Sequence, residues 1–111
     1  MMYHNKKFKL VTSSKNSEIS SEMIFTYKQK GTIVTCTYND AAIQIGHLIG
    51  FVDTNGTLKM SYHQINNKNE IMTGTCISTP EILENKKIRL HEKWEWTSGD
   101  FSKGSSILEE I

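Results

Sequence analysis

Hydrophobic and polar residues alternate along most of the chain with a period of two. The runs that show this pattern, or that are dense in β-branched residues, cover residues 21–29, 32–39, 43–53, 57–66, 70–79 and 87–97. Such alternation is typical of strands with one buried face. No segment shows a convincing helical period. The pattern therefore predicts an all-β protein with seven or eight short antiparallel strands joined as a meander.

The segments between these runs are rich in Gly, Asn and Asp, which are turn residues. Asn55-Gly56 predicts a two-residue type I′ hairpin turn, with positive φ at both positions. Gly46, Gly50 and Gly74 lie inside predicted strands, where glycine often marks a sharp bend. Because closure removes exposed strand edges, we expect a small calycin- or lipocalin-like barrel. An open sheet folded over itself is the alternative.

The N-terminal region differs from the rest of the chain. Residues 1–18 are polar, and only residues 8–11 could form a short strand. We therefore expect residues 1–18 to be a mobile or partly ordered arm and residues 19–111 to form a single β-barrel domain.

Composition limits the class of protein. With 111 residues, 37% hydrophobic and 23% charged, the chain is expected to form one globular domain. A net charge of +1 gives no reason to expect nucleic acid or an anionic membrane as partner. No secretory signal is evident, which favours a cytoplasmic protein in which Cys36 and Cys76 are free thiols. A Cys36–Cys76 bridge stays open if their strands are neighbours.

Six residues are candidates for ligand binding. Glu92 shares its strand parity with Trp94 and Trp96, so it points inward if they do. A buried carboxylate needs a partner or a raised pKa. Small-molecule pockets have mostly apolar walls with a few polar groups, and these strands combine both. The complete set of candidates is His47, Tyr62, Gln64, Glu92, Trp94 and Trp96. In the structural alternative, His47 and Glu92 lie at the barrel rim in water or pair with each other.

Common catalytic and metal-binding motifs are missing from the sequence. His47, His63 and His91 lie on separate predicted strands, without HxH, CxxC or HExxH spacing. No GxSxG, GxGxxG or GxxxxGK[ST] motif is present. We therefore predict no metal site, name no catalytic residue, and find no cofactor evident from the residues.

Four phrases carry a family resemblance: residues 45–56 (IGHLIGFVDTNG), 62–76 (YHQINNKNEIMTGTC), 88–100 (IRLHEKWEWTSGD) and 103–111 (KGSSILEEI). With them, the chain resembles short bacterial proteins labelled N-acetylglutamate synthase. The resemblance implies acetyl transfer from acetyl-CoA to the amine of glutamate.

If that activity is present, the acid–base group would be sought among His47, His63, His91 and Glu92. Arg89 or Lys93 would then pair with a substrate carboxylate.

Three function hypotheses follow. The leading one is a β-barrel that binds a small molecule and acts as a monomer or homodimer. The second is the acetyltransferase implied by the resemblance, so whether the protein is an enzyme stays open. The third is a structural or interaction module that uses an exposed sheet face.

Overall fold

The computed structural model describes residues 2–14 and 22–111. Within these residues, no helix is long and apolar enough to cross a membrane. The described chain folds into nine β-strands: β1 (Lys7–Ser13), β2 (Ile24–Thr26), β3 (Lys28–Lys30), β4 (Ile33–Tyr38), β5 (Ile43–Val52), β6 (Leu58–Asn66), β7 (Ile71–Ile82), β8 (Ile88–Trp96) and β9 (Lys103–Glu110).

The nine strands form one antiparallel sheet in the order β2-β1-β9-β8-β7-β6-β5-β4-β3. Only Tyr27 separates β2 from β3, so residues 24–30 pair first with β1 and then with β4. This short segment joins the two ends of the sheet into a nearly closed barrel. The prediction of an all-β antiparallel meander that closes into a barrel is confirmed, although the described strands number nine rather than seven or eight.

The N-terminal segment is part of the barrel wall. β1 lies between β2 and β9, and its buried residues Phe8 and Leu10 face the core. Tyr3 is fully buried, and its hydroxyl donates a hydrogen bond to the Gly56 carbonyl oxygen at 2.6 Å. The barrel therefore begins before the expected boundary at residue 19, because alternate apolar side chains bury one face of β1. Residue 1 and residues 15–18 of the expected arm lie outside the described residues.

The two ends of the barrel differ. At one end the rings of Tyr3, Phe8 and Tyr27 pack together, with 4.9 Å between the ring centroids of Phe8 and Tyr27. We call this the closed end. The opposite end carries the β4–β5, β6–β7 and β8–β9 connections, and we call it the open end.

Three glycines on the inner face each lie directly opposite an aromatic residue of the neighbouring strand. The pairs are Gly46–Tyr38, Gly74–Tyr62 and Gly104–Trp94. A Cβ atom on Gly46 would lie 2.2 Å from the ring of Tyr38, and the other two glycines are equally close to their rings. These glycines make room for aromatic rings inside the barrel. The sequence had indicated only that glycines within strands mark sharp bends.

The pairing of β5 with β6 shifts between Ile43 and Ile45. Such a bulge places one extra residue, Gln44, in β5 and changes which alternate positions face the core. Ile43 is buried before the shift, and Gly46 and Leu48 are buried after it. His47 consequently lies on the outer face.

The β5–β6 hairpin forms as predicted, but its turn is different. Residues 53–57 connect the strands, and Gly56 has a φ of 83° whereas Asn55 has no positive φ. The Asp53 carboxylate accepts hydrogen bonds from the backbone N–H groups of Asn55 and Thr57 at 2.8 and 3.0 Å. The predicted two-residue type I′ turn is wrong because the Asp53 side chain stabilises a longer turn.

Candidate functional site

The barrel interior contains a cavity of about 50 Å³. Its wall includes six aromatic side chains, which are those of Phe25, Tyr27, Tyr38, Tyr62, Trp94 and Trp96. The polar groups among its lining residues include Gln64 on β6, Glu92 on β8 and Ser106 on β9. The cavity therefore combines large apolar surfaces with a few polar groups from different strands, as ligand sites commonly do.

The structure brings five of the six predicted site residues to this cavity. Tyr62 and Gln64 face it from β6, and Glu92, Trp94 and Trp96 face it from β8. His47 does not belong to the group. Its ring lies on the outer face of β5, 5.5 Å from the ring of His63 on β6. The β5 bulge explains this difference, because it changes the parity before His47 is reached.

Glu92 is buried, with 8% of its surface exposed. In the sheet it lies between Ser78 of β7 and Ser106 of β9, which are its direct neighbours. Ser78 Oγ donates a hydrogen bond to Glu92 Oε2 at 2.5 Å. The structural alternative of a Glu92 at the rim, or paired with His47, is therefore wrong.

A second chain of hydrogen bonds reaches Glu92 from Trp94. Trp94 Nε1 donates to Ser106 Oγ at 3.0 Å, and the Ser106 hydroxyl is hydrogen-bonded to Glu92. The Cys76 thiol also forms a hydrogen bond with Glu92. Three small donors thus surround the carboxyl group and fix its orientation in the barrel.

Burial raises the pKa of Glu92 from its ordinary value of 4.5 to about 7. Removal from water disfavours the charged carboxylate, whereas the hydrogen bonds from Ser78, Cys76 and Ser106 favour it and reduce the shift. The ion pairs found among the described residues do not include Glu92. Near neutral pH this group therefore exchanges readily between its neutral and charged forms.

Other polar and aromatic side chains complete the wall. The Tyr38 hydroxyl donates to Gln64 Oε1 at 2.8 Å, and both residues are buried. Tyr62 packs edge to face on Trp96 with 5.6 Å between ring centroids, and Trp96 packs similarly on Trp94 at 5.9 Å. Trp96 is the last residue of β8, at the open end, and Tyr62, in the middle of β6, packs against it.

Several lining and flanking residues were not predicted from the sequence, and four of them form hydrogen bonds with Glu92 or Gln64. Tyr38 and Cys76 line the cavity, and Ser78 and Ser106 hold Glu92. Their signal lies in the pairing of strands, because Ser78 and Ser106 are recognised only once β7 and β9 are aligned with Glu92. A single strand pattern does not contain that alignment.

The two cysteines are buried and free, as expected. Burial raises the pKa of the Cys36 thiol to about 12 and raises that of Cys76 as well. Thiols with raised pKa values are poor nucleophiles at neutral pH. In the part of the chain that the structure describes, no three His, Cys, Asp or Glu side chains come together in a group that could hold a metal ion.

Comparison with known proteins corrects the family resemblance. A family model described as Avidin-like protein matches residues 1–111. Searches of curated proteins and of solved structures found no match. The resemblance to proteins labelled N-acetylglutamate synthase is wrong, since the matching family is a different one. The prediction of a small-molecule-binding β-barrel is confirmed at the level of the family. The chain belongs to the avidin-like protein family.

Proposed function

We propose that the interior cavity is the ligand site of this barrel and that a small organic molecule enters it from the open end. The observation that supports this proposal is the convergence of buried polar groups and aromatic rings on one cavity. Trp94 and Trp96 would supply contact area, and Tyr62, Gln64 and Glu92 would orient the ligand by hydrogen bonds. Apolar walls with few polar groups are the usual composition of such sites.

The size of the cavity limits which part of a ligand it holds. Its volume is about 50 Å³. A protein cavity that accommodates benzene has a volume of about 150 Å³, roughly three times as large. Sites for drug-sized ligands measure about 300–1,000 Å³. The ligand would therefore place a small group inside the barrel. A larger body would require Tyr62 and Met72, both partly buried, to move at the open end.

The two tryptophans make ligand binding directly measurable. The chain contains only Trp94 and Trp96, and both line the cavity. We expect a ligand that enters the barrel to change their fluorescence and to add one stoichiometric mass in native mass spectrometry. Biotin is a first compound to test because of the family match. The same spectra give the number of subunits, which tests the expected monomer or homodimer.

A pair of variants separates interior from exterior binding. Gln64→Leu keeps a similar side-chain volume but removes the buried amide, so it should weaken binding of a polar ligand by about tenfold. His47→Ala alters the outer face and should leave binding unchanged. If His47→Ala weakens binding and Gln64→Leu does not, the ligand site is not the interior cavity.

A further inference from the structure

Glu92 is the single group of the cavity wall that becomes charged in the neutral pH range. Among the described lining residues there is no Lys, Arg or His. The titratable groups that share the cavity wall with Glu92 are Cys76 of β7, Tyr27 between β2 and β3, Tyr38 of β4 and Tyr62 of β6, and Cys36 of β4 lies near Tyr27. Thiols and phenols are uncharged at neutral pH, and burial raises the pKa of Tyr27, Cys36 and Cys76. The described wall of the cavity therefore supplies no cation to balance a Glu92 carboxylate.

The hydrogen bonds to Glu92 favour its charged form, although burial as a whole raises its pKa. Ser78, Cys76 and Ser106 all form hydrogen bonds that stabilise the carboxylate. A carboxylate has about four positions that accept hydrogen bonds, so three donors leave about one position for another N–H group. The Glu92 carboxylate accepts several hydrogen bonds but has no cationic partner on the described cavity wall. Such an arrangement is expected where the ligand supplies the cation.

The rest of the wall suits an organic cation. Trp96 packs edge to face on both Tyr62 and Trp94, so the three rings face in different directions around the cavity. Aromatic faces attract cations, most strongly when water is excluded. The 50 Å³ of space is enough for an ammonium group with one or two carbon atoms. A longer apolar stem would extend towards the open end between the rings.

We propose that the cavity binds the protonated amino group of a small primary amine, with the Glu92 carboxylate as its ionic partner and with Tyr62, Trp94 and Trp96 as its walls. This inference rests on the proposed function, because it names the class of ligand for the same site. When Glu92 begins in its neutral form, binding of the ammonium ion requires the carboxyl proton to leave for the solvent. One ammonium ion enters and one proton is released, so the charge inside the barrel stays balanced.

Two probes of nearly equal shape test the charge requirement. n-Butylamine is a cation at neutral pH and n-butanol is its neutral counterpart. In titrations followed by tryptophan fluorescence, we expect n-butylamine to bind at least about tenfold more tightly than n-butanol. Glu92→Gln removes the charge and keeps the shape, so it should weaken n-butylamine binding by about 10- to 100-fold and n-butanol binding by much less.

Proton release provides a test that needs no variant. Calorimetric titrations with n-butylamine in buffers of different ionisation enthalpy count the protons released on binding. With the pKa of Glu92 near 7, we expect about 0.9 protons at pH 6 and about 0.1 at pH 8. If Glu92→Gln does not fold, this measurement on the unmodified protein still decides the question.

The outcomes separate the two proposals. Equal binding of n-butylamine and n-butanol without proton release would overturn the amine assignment and leave the interior ligand site intact. The same holds if a compound without a cationic group, such as biotin, binds in the cavity while n-butylamine does not. If no compound changes the tryptophan fluorescence or adds mass, both proposals are overturned.

Discussion

At the scale of single residues, Glu92 is a carboxyl group whose burial in the barrel costs free energy. Its strand neighbours Ser78 and Ser106 satisfy its oxygens, but they do not replace the water lost on burial. The sequence predicted only that Glu92 points inward if Trp94 and Trp96 do, and the structure shows that this parity faces the core. The hydrogen-bonding serines were not predictable, because they are brought to Glu92 by pairing with two other strands.

The raised pKa of Glu92 predicts how stability depends on pH. The folded protein keeps the proton up to about pH 7, whereas the unfolded chain loses it near pH 4.5. The folded state therefore binds more protons between these values, and its stability falls as pH rises through this window. From pH 5 to pH 8 the contribution of Glu92 to the free energy of unfolding should fall by about 2–3 kcal/mol.

Urea denaturation of the wild type and of Glu92→Gln at both pH values measures this contribution. The variant should lose less stability between pH 5 and pH 8, because it has no proton to release at this position. Parallel pH profiles for the two proteins would show that the pKa of Glu92 is not raised in the fold.

At the scale of elements, the sequence pattern of β5 predicts the strand itself but not which of its side chains face the core. Its length and position follow from its run of apolar residues, but apolar residues occupy both parities of this run. Ile45 and Ile49 are about half exposed, whereas Leu48 is buried. The extra residue Gln44 decides between the parities, and a bulge of one residue leaves no distinct signal in an apolar run. His47 was misplaced for this reason.

The glycine–aromatic pairs provide a prediction at the same scale. In Gly46→Ala the new methyl group would overlap the ring of Tyr38, so the variant should lose about 1–3 kcal/mol of stability. The same substitution in a Tyr38→Leu background should cost much less, because the ring that causes the overlap is gone. Denaturant unfolding of the two single variants and the double variant gives the coupling energy. A coupling energy near zero would mean that Gly46 is required for a reason other than the ring.

At the scale of the whole molecule, the barrel depends on its N-terminal residues at two places. β1 completes the wall between β2 and β9, and Tyr3 fills the closed end beneath the cavity. The meander of hairpins was predictable because each pair is local in sequence. The position of β1 was less clear from its polar composition, since only Phe8 and Leu10 supply its buried face.

Tyr3 provides a test of this closed end. Tyr3→Phe removes the hydrogen bond to the Gly56 carbonyl and should cost about 0.5–1.5 kcal/mol. Tyr3→Ala also empties a fully buried site and should cost about 3–5 kcal/mol. Thermal and urea unfolding measure both effects, and Phe101→Ala, at an exposed aromatic residue, is the matched control. Equal stability of Tyr3→Ala and the control would show that the N-terminal segment does not belong to the folded unit.

The pairing of β1 with β9 also has a consequence for the order of events during protein synthesis. Phe8 of β1 pairs with Glu110 of β9, about a hundred residues later in the chain. From β3 to β9, by contrast, each strand pairs with the next strand in the sequence through a short hairpin connection. Those hairpins can form one after another as the chain leaves the ribosome, but β1 has to wait for β9. Such distant pairings are slow to form because a long loop must first be closed. A nascent chain would therefore acquire its barrel interior only after β9 has been synthesised, in a single late closing step.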